Sequence, residues 1–399
     1  MVKLASRMDT LPPYLFAALD ERRRAVEARG VEVISLGIGD PDLPASPVVV
    51  ETVQREAARA ANHRYPRYDG LPAFRNAVAA YYARRFGVSL DPDREVLTVI
   101  GSKEGLAHLI WAYVEPGDIV LSPDPSYPVY HAHTGLAGGE VYALPLVAER
   151  GFLPDLAAIP EDVLTRAKLL FINYPNNPTA GVADRTFLAE AVELCRRHDI
   201  LLVSDAAYVE MTLAGEPAPS VLEIPGAKDV AIEFYSLSKP FNMTGFRLGA
   251  AVGNAAAVAA LGRMKNNSDS GQWNAIQYAG AAALERAPEA FFARMNEIYR
   301  KRRDKLCLGL RELGWDVPLP TATFYVWAEV PGGDDKAFAS QLLEAGVVVV
   351  PGSGYGRHGQ GYVRLCLTVS EEDIARVLER LGNLSPSPFT IPTARKPLL

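Results

Sequence analysis

A lysine set between hydroxyl groups at the end of an apolar run is the chemically most telling feature of this sequence. Ser236-Leu237-Ser238-Lys239 closes the run Val230 to Tyr235, and Gly245-Phe246-Arg247 follows closely. A lysine amine in apolar surroundings loses its proton easily, because burial disfavours the charged form, and a neutral amine can form a Schiff base with a carbonyl. The planar guanidinium of Arg247 suits a phosphate through paired hydrogen bonds. Gly101-Ser102-Lys103 joins the run Glu95 to Ile100 to a helical pattern from Lys103 to Val114. Free N–H groups and a helix dipole at such a junction suit a phosphate, although Ser in that place also reads as a helix N-cap. Asn176-Asn177-Pro178-Thr179 follows the run Lys168 to Ile172 and reads first as a turn. Asp205 ends the run Ile200 to Ser204, with Tyr208 shortly after. A lone Asp there is more often a helix cap than a reacting group.

The elements that must position these residues alternate along the chain. Short apolar runs at Glu95–Ile100, Asp118–Leu121, Lys168–Ile172, Ile200–Ser204, Val230–Tyr235 and Leu248–Val252 are separated by helical patterns such as Ala183 to Arg197. Continuous apolar strands between helices predict an α/β domain with a mostly parallel sheet covered on both faces. In such sheets ligands bind beyond the carboxyl ends of the strands, where nearly all the unusual polar residues fall. After about residue 290 the pattern changes. A charged helix, Phe291 to Leu313, precedes strands near Phe324–Trp327, Val347–Val350 and Tyr362–Thr368. The expected organisation is a large domain, 46–290, and a smaller α+β domain built from both chain ends, 1–45 and 291–399.

In order and spacing, Tyr174-Pro175-Asn176-Asn177-Pro178-Thr179, Ser204-Asp205-Ala206-Ala207-Tyr208 and Ser236-Leu237-Ser238-Lys239…Gly245-Phe246-Arg247 resemble the class I/II aminotransferases. Tyr65-Pro66-Arg67-Tyr68-Asp69-Gly70 and Arg364 extend the resemblance from about Ser35 to Thr368. It implies the pyridoxal-phosphate (PLP) fold type I, with a mostly parallel seven-stranded sheet in the large domain. It further implies that Lys239 binds the PLP aldehyde and moves the substrate proton, and that Asp205 keeps the pyridine nitrogen protonated. Asn177 and Tyr208 would bond the cofactor's phenolic oxygen, and Tyr127 would stack on its ring. Ser102, Lys103, Ser236, Ser238 and Arg247 would hold its phosphate. Arg364 would grip the substrate α-carboxylate, and Gly39 would let a backbone N–H approach the substrate. Tyr65 would reach the phosphate of a neighbouring subunit, which implies a homodimer with shared active sites.

The phrase Lys239-Pro240-Phe241-Asn242-Met243-Thr244-Gly245-Phe246-Arg247 is similar to the LL-diaminopimelate aminotransferases and their alanine- or aspartate-type relatives. Pro240 departs from the small or hydroxyl residue expected there. The activity implied is ping-pong transfer of an amino group from an amino acid to a 2-oxo acid, with 2-oxoglutarate the expected acceptor. A C–S lyase on the same scaffold would use the same Lys239, Asp205 and Arg247 and differ in its products, pyruvate and ammonia. A regulator built on this fold would need a DNA-binding module, for which the residues before 35 leave no room. A nucleotide-binding dehydrogenase would need GxGxxG after its first strand, which Gly101-Ser102-Lys103-Glu104-Gly105 does not supply.

Bulk properties agree with a cytoplasmic enzyme. The 399 residues are 49% hydrophobic and 22% charged, with a net charge of -6, which disfavours sequence-independent nucleic-acid binding. Glu21-Arg22-Arg23-Arg24 reads as the solvated face of a first helix. Three cysteines, Cys195, Cys307 and Cys366, form no CxxC pair; with no signal peptide they are expected as free thiols in a reducing cytosol. No run is long enough to span a membrane. No metal is expected: His131 and His133 share a face if their segment is extended, but no further ligands cluster with them. Trp111, Trp273, Trp315 and Trp327 read as packing, with Gln272 and Trp273 candidates to line the pocket. The Ser385-Pro386-Ser387-Pro388 stretch is expected to be irregular.

Overall fold

Adjacent side chains on the central strands separate into two hydrophobic clusters, as the period of a β-strand requires. Leu170 and Ile172 join one cluster and Leu169 and Phe171 the other. The first cluster takes in Phe74, Val78 and Tyr82 of the helix Pro72–Phe86 and Phe187, Leu188 and Ala191 of the helix Arg185–His198. The second takes in Leu106, Leu109 and Ile110 of the helix Ser102–Tyr113 and Val258 and Leu261 of the helix Ala255–Asn266. A sheet buried on both faces between helices is the layered solution that continuous apolar strands demand. This computed structural model describes residues 2–11, 15–215, 217–286, 288–384 and 389. The stretch Ser385 to Pro388 lies outside the described residues.

The strands in chain order are β1 (Ile34–Ser35), β2 (Val96–Val99), β3 (Ile119–Asp124), β4 (Glu140–Pro145), β5 (Ala167–Ile172) and β6 (Leu201–Asp205). They continue with β7 (Ala231–Ser236), β8 (Gly249–Gly253), β9 (Tyr325–Glu329), β10 (Val347–Val348), β11 (Val350–Pro351) and β12 (Tyr362–Cys366). Seven of them form one sheet in the order β2-β8-β7-β6-β5-β3-β4. Among the described residues, β8 alone runs against its neighbours β2 and β7; the remaining pairs are parallel. The seven-stranded, mostly parallel sheet of fold type I is therefore present.

Two readings of the strands need correction. Glu140–Pro145 is a strand that apolar runs alone did not mark. As an edge strand it has a neighbour on one side only, and most of its side chains are partly exposed. Val347 to Val350 is buried, as expected, but is not one strand. Val347–Val348 pairs in parallel with β1, whereas Val350–Pro351 pairs antiparallel with β12 in a three-stranded sheet β11-β12-β9. A third cluster joins Ile34 and Leu36 to Leu306 and Leu310 of the helix Pro288–Glu312 and to Val326, Val363 and Ile374.

Local chemistry sets the helix ends. Asp184 caps the helix Arg185–His198 by accepting Phe187 N–H at 2.8 Å, and Arg196, Arg197 and His198 lie in its last turn, where the dipole favours cations. Glu21, Arg22 and Arg24 are exposed on the helix Leu15–Glu27, and Arg23 is partly so. His131 and His133 lie on the helix Val129–Ala137, not on an extended segment, so residues two apart point away from each other. His131 Nε2 bonds Ser122 Oγ at 3.0 Å, and the His133 ring packs on Trp111 at 5.3 Å. Trp315 and Trp327 are buried in ring stacks with Phe389 and Tyr362. All three cysteines are free and buried. Among the described residues no helix is long and apolar enough to cross a membrane.

Candidate active site

The carboxyl ends of the parallel strands open into one cavity of about 450 Å³. Asn173 and Asn177 reach it from the loop after β5, Asp205 from the end of β6, and Ser236, Ser238 and Lys239 from the end of β7. Ser102 and Lys103 come from the turn after β2, Tyr127 from the loop after β3, and Arg247 from the loop before β8. Gly39, Tyr208, Tyr325, Tyr355 and Arg364 complete the wall. Twelve of the thirteen residues singled out from sequence therefore line one space, and Tyr65 stands apart, 86% exposed. Gln272 and Trp273 are not among the lining residues: Gln272 donates its amide to the carbonyls of Phe246 and Arg247, and Trp273 donates to Asn62 O at 2.7 Å.

Lys239 Nζ donates to Gly39 O at 2.6 Å. Burial pushes its pKa down to about 8, with Arg364 and Arg247 adding repulsion and Asp40 opposing them. A useful fraction of the amine is then neutral near pH 7, as a nucleophile or base requires. Gly39 must be glycine, because a Cβ there would lie 2.2 Å from the Tyr325 hydroxyl. Asp205, which lines the same cavity, is buried at the end of its strand. Burial raises its pKa to about 6, although Tyr130 donates to Oδ2 at 2.7 Å and Ala207 N–H to Oδ1 at 3.3 Å. A carboxylate so placed favours a cationic partner.

Arg364 is fully buried and splits its guanidinium between two acceptors. Nη1 donates to Asn177 Oδ1 at 2.8 Å and Nη2 to Gly37 O at 2.8 Å. Its plane lies over the rings of Tyr325 and Tyr355, at 4.2 and 4.9 Å. The Tyr208 and Tyr325 hydroxyls share a hydrogen bond of 2.7 Å. Tyr130, Asn173, Tyr325 and Tyr355 escaped sequence reading. Asn173 is recognisable in retrospect as a buried amide just past a strand; its Nδ2 donates to Asp205 O at 2.7 Å and its Oδ1 accepts Asn177 N–H at 2.9 Å.

Pyridoxal phosphate fits these groups. Ser102 Oγ is buried without a hydrogen-bond partner among the described residues, at the start of a helix and lining the same cavity as Arg247. Gly101, at φ +75°, brings the chain so close to that guanidinium that a Cβ would lie 2.4 Å from Nη2. A hydroxyl, a helix N-terminus and a guanidinium together suit a phosphate. An amine and a carboxylate elsewhere on the same wall suit an aldehyde and a protonated ring nitrogen.

The family model for aminotransferase class I and II matches residues 31–381. The chain is 55% identical over 379 residues to the LL-diaminopimelate aminotransferase of Moorella thermoacetica, covering 94% of this chain and 97% of the relative. It is 53% identical to the enzyme of that name from Desulforudis audaxviator, at 94% and 96% coverage. Among solved structures it is similar to substrate-bound BacF from Bacillus subtilis, with a TM-score of 0.93, 38% identity and coverage of 98% and 99%. It also matches the aspartate aminotransferase of Thermus thermophilus with maleate, with a TM-score of 0.88, 32% identity and coverage of 96% and 99%. With a lysine softened by burial at the strand ends of such a sheet, and relatives of this kind along nearly its whole length, the chain belongs to the class I and II aminotransferases, PLP-dependent enzymes that move an amino group from an amino acid to a 2-oxo acid.

Proposed function

We propose that this enzyme uses LL-diaminopimelate as amino donor and 2-oxoglutarate as acceptor, in a ping-pong reaction. The convergence of Lys239 and Arg364 on one cavity carries the reading of the chemistry, and relatives of that name at over half identity support the donor. Aspartate- and alanine-type donors are the competing choices. The C–S lyase is not favoured, because both relatives bear transferase names.

Each residue has its part in this reading. Lys239 would hold the cofactor at its aldehyde and would take the proton from the donor's Cα. Pyridoxal phosphate supplies an electron sink for the pair left on Cα and carries the amino group between substrates. Asp205 keeps the ring nitrogen protonated, and Tyr130 holds that carboxylate in place. Asn177 and Tyr208 would bond the phenolic oxygen, and Tyr127 would stack on the ring. Ser102, Lys103, Ser236, Ser238 and Arg247 hold the phosphate. Arg364 binds the donor's α-carboxylate, and Gly39 lets a backbone N–H approach the substrate. Tyr65, exposed in the single chain, would reach the phosphate of a neighbouring protomer, which makes the enzyme a homodimer; its proposed compartment is the cytoplasm. The division into 46–290 against 1–45 with 291–399 belongs to the same proposal; the pairing of β1 with β10 supports it by joining the chain ends.

The test of the donor is a spectrum. LL-diaminopimelate should bleach the visible cofactor band faster than aspartate, glutamate, alanine or aromatic amino acids, and 2-oxoglutarate should restore it with one glutamate formed per cycle. A faster response to another donor renames the substrate. Pyruvate with ammonia as products would return the lyase.

Arg364→Lys should retain the cofactor band yet lose about 10- to 100-fold in kcat/KM, because a point charge cannot replace a fork that binds a carboxylate in two places. The loss should fall mainly on KM for amino and 2-oxo acids alike. An unchanged KM would move the carboxylate site elsewhere.

A further inference from the structure

One buried cation outside the cavity has no part in the chemistry above. Lys265, in the last turn of the helix Ala255–Asn266, is 1% exposed. Its ammonium lies 3.1 Å from Glu104 Oε1 and 3.1 Å from each carboxylate oxygen of Asp269. His108 Nδ1 approaches the same Glu104 oxygen at 2.5 Å. The ligand atoms of Glu104, His108 and Asp269 lie within 4.8 Å of one another, but the cation between the two acids is already the lysine.

Glu104 holds backbone that leads into the cavity, and Asp269 holds backbone next to a residue that bonds Arg247. The other oxygen of Glu104 accepts Ile100 N–H at 2.8 Å and so fixes the turn that runs through Gly101 to Ser102 and Lys103. Asp269 Oδ1 accepts Gly271 N–H at 2.7 Å, and the next residue, Gln272, bonds the carbonyl of Arg247. Lys265 therefore ties the turn carrying Ser102 to the segment that steadies Arg247. It also balances charge. Glu104 sits in the first turn of the helix Ser102–Tyr113, the turn whose N–H groups would face a phosphate. A carboxylate there without its counter-ion would repel a dianion, and burial would weaken the screening. Burial pushes the Glu104 pKa up, but His108, Lys265 and the Ile100 N–H outweigh it and hold the group ionised.

We propose that Lys265 is a positioning residue for the cofactor's phosphate, tying the Gly101–Lys103 turn to the Arg247 support and neutralising Glu104 beside the anion. This rests on the reading of Ser102, Lys103 and Arg247 as the phosphate cradle. A purely structural lysine would affect cofactors with and without phosphate alike; a phosphate-positioning one would not.

The experiment titrates apo-enzyme with pyridoxal phosphate and, separately, with pyridoxal, reading the visible band. Lys265→Met should raise the dissociation constant for pyridoxal phosphate about 10-fold or more and move that for pyridoxal by less than about 2-fold. Lys265→Met with Glu104→Gln, which removes the charge together with its counter-charge, should recover most of the preference. Equal weakening of both ligands, or of neither, overturns the proposal. Thermal melting of each apo-variant checks folding. Should Lys265→Met not fold, Glu104→Gln alone decides: it removes the negative charge beside the anion while Asp269 still pairs the ammonium, and should sharpen the preference for the phosphorylated ligand, and a blunted preference overturns the proposal. Arg247→Ala separates the two levels of the argument. If that variant keeps the wild-type preference, the cradle itself is misread, and the role of Lys265 falls with it.

Discussion

Lys239→Ala should reduce turnover by at least about 10⁴-fold, because it removes the covalent anchor and the proton-transfer base together. The size follows from the site. The Lys239 amine has its pKa lowered to about 8, and among the described residues its hydrogen bond is to the carbonyl of Gly39. Lys103 also lines the cavity, but on the turn assigned to the phosphate, so a second lysine does not stand ready to replace the first. The variant should still bind pyridoxal phosphate through the phosphate cradle, giving the spectrum of the free aldehyde. Borohydride should then label no lysine. In the wild type it should fix the cofactor on Lys239, as peptide mapping would read. Labelling of another lysine in the variant, with activity retained, would sink the assignment on which every other role depends.

Much of this site was legible because fold-type chemistry places reacting groups just beyond strands, and strands that are buried on both faces announce themselves as apolar runs. Asp205, Ser236 and Lys239 could be found in that way. What escaped depends on sheet order and side-chain direction, which no local pattern encodes. Tyr130 meets Asp205 because β3 and β6 both flank β5, 75 residues apart in the chain. Tyr325 meets Tyr208 across 117 residues and stands where a Gly39 side chain would be. The two histidines misled for a related reason. A period of two is informative only once the segment is known to be a strand, and theirs is a helix. Tyr65 shows the converse: its motif is recognisable, yet its exposed side chain acquires a role only if a second protomer covers it.

Asp205→Asn should separate a group's contribution to function from its contribution to stability. The carboxylate is buried, and its pKa rises from 3.8 to about 6 because burial outweighs the hydrogen bonds from Tyr130 and Ala207. The folded apo-protein therefore holds the proton more tightly than the unfolded chain. That contribution is fully present below pH 3.8 and is lost as pH rises through 6, a change of about 3 kcal/mol. Asparagine keeps the shape and carries no charge. The apo-variant should then melt a few degrees above apo-wild type at pH 8, and the advantage should vanish near pH 4. Bound cofactor should reverse the order. A protonated ring nitrogen beside Asp205 gives the buried charge its partner, so pyridoxal phosphate should raise the melting temperature of the wild type more than that of the variant. Turnover should fall by roughly 10²- to 10³-fold in the variant, since a neutral amide does not hold the ring nitrogen protonated while charge develops at Cα. If cofactor stabilises both proteins equally at pH 8, Asp205 does not face the ring nitrogen. If the apo-variant is the less stable protein at every pH, the carboxylate is held by hydrogen bonds strong enough to overcome its burial, and the cavity is not preorganised for a cation.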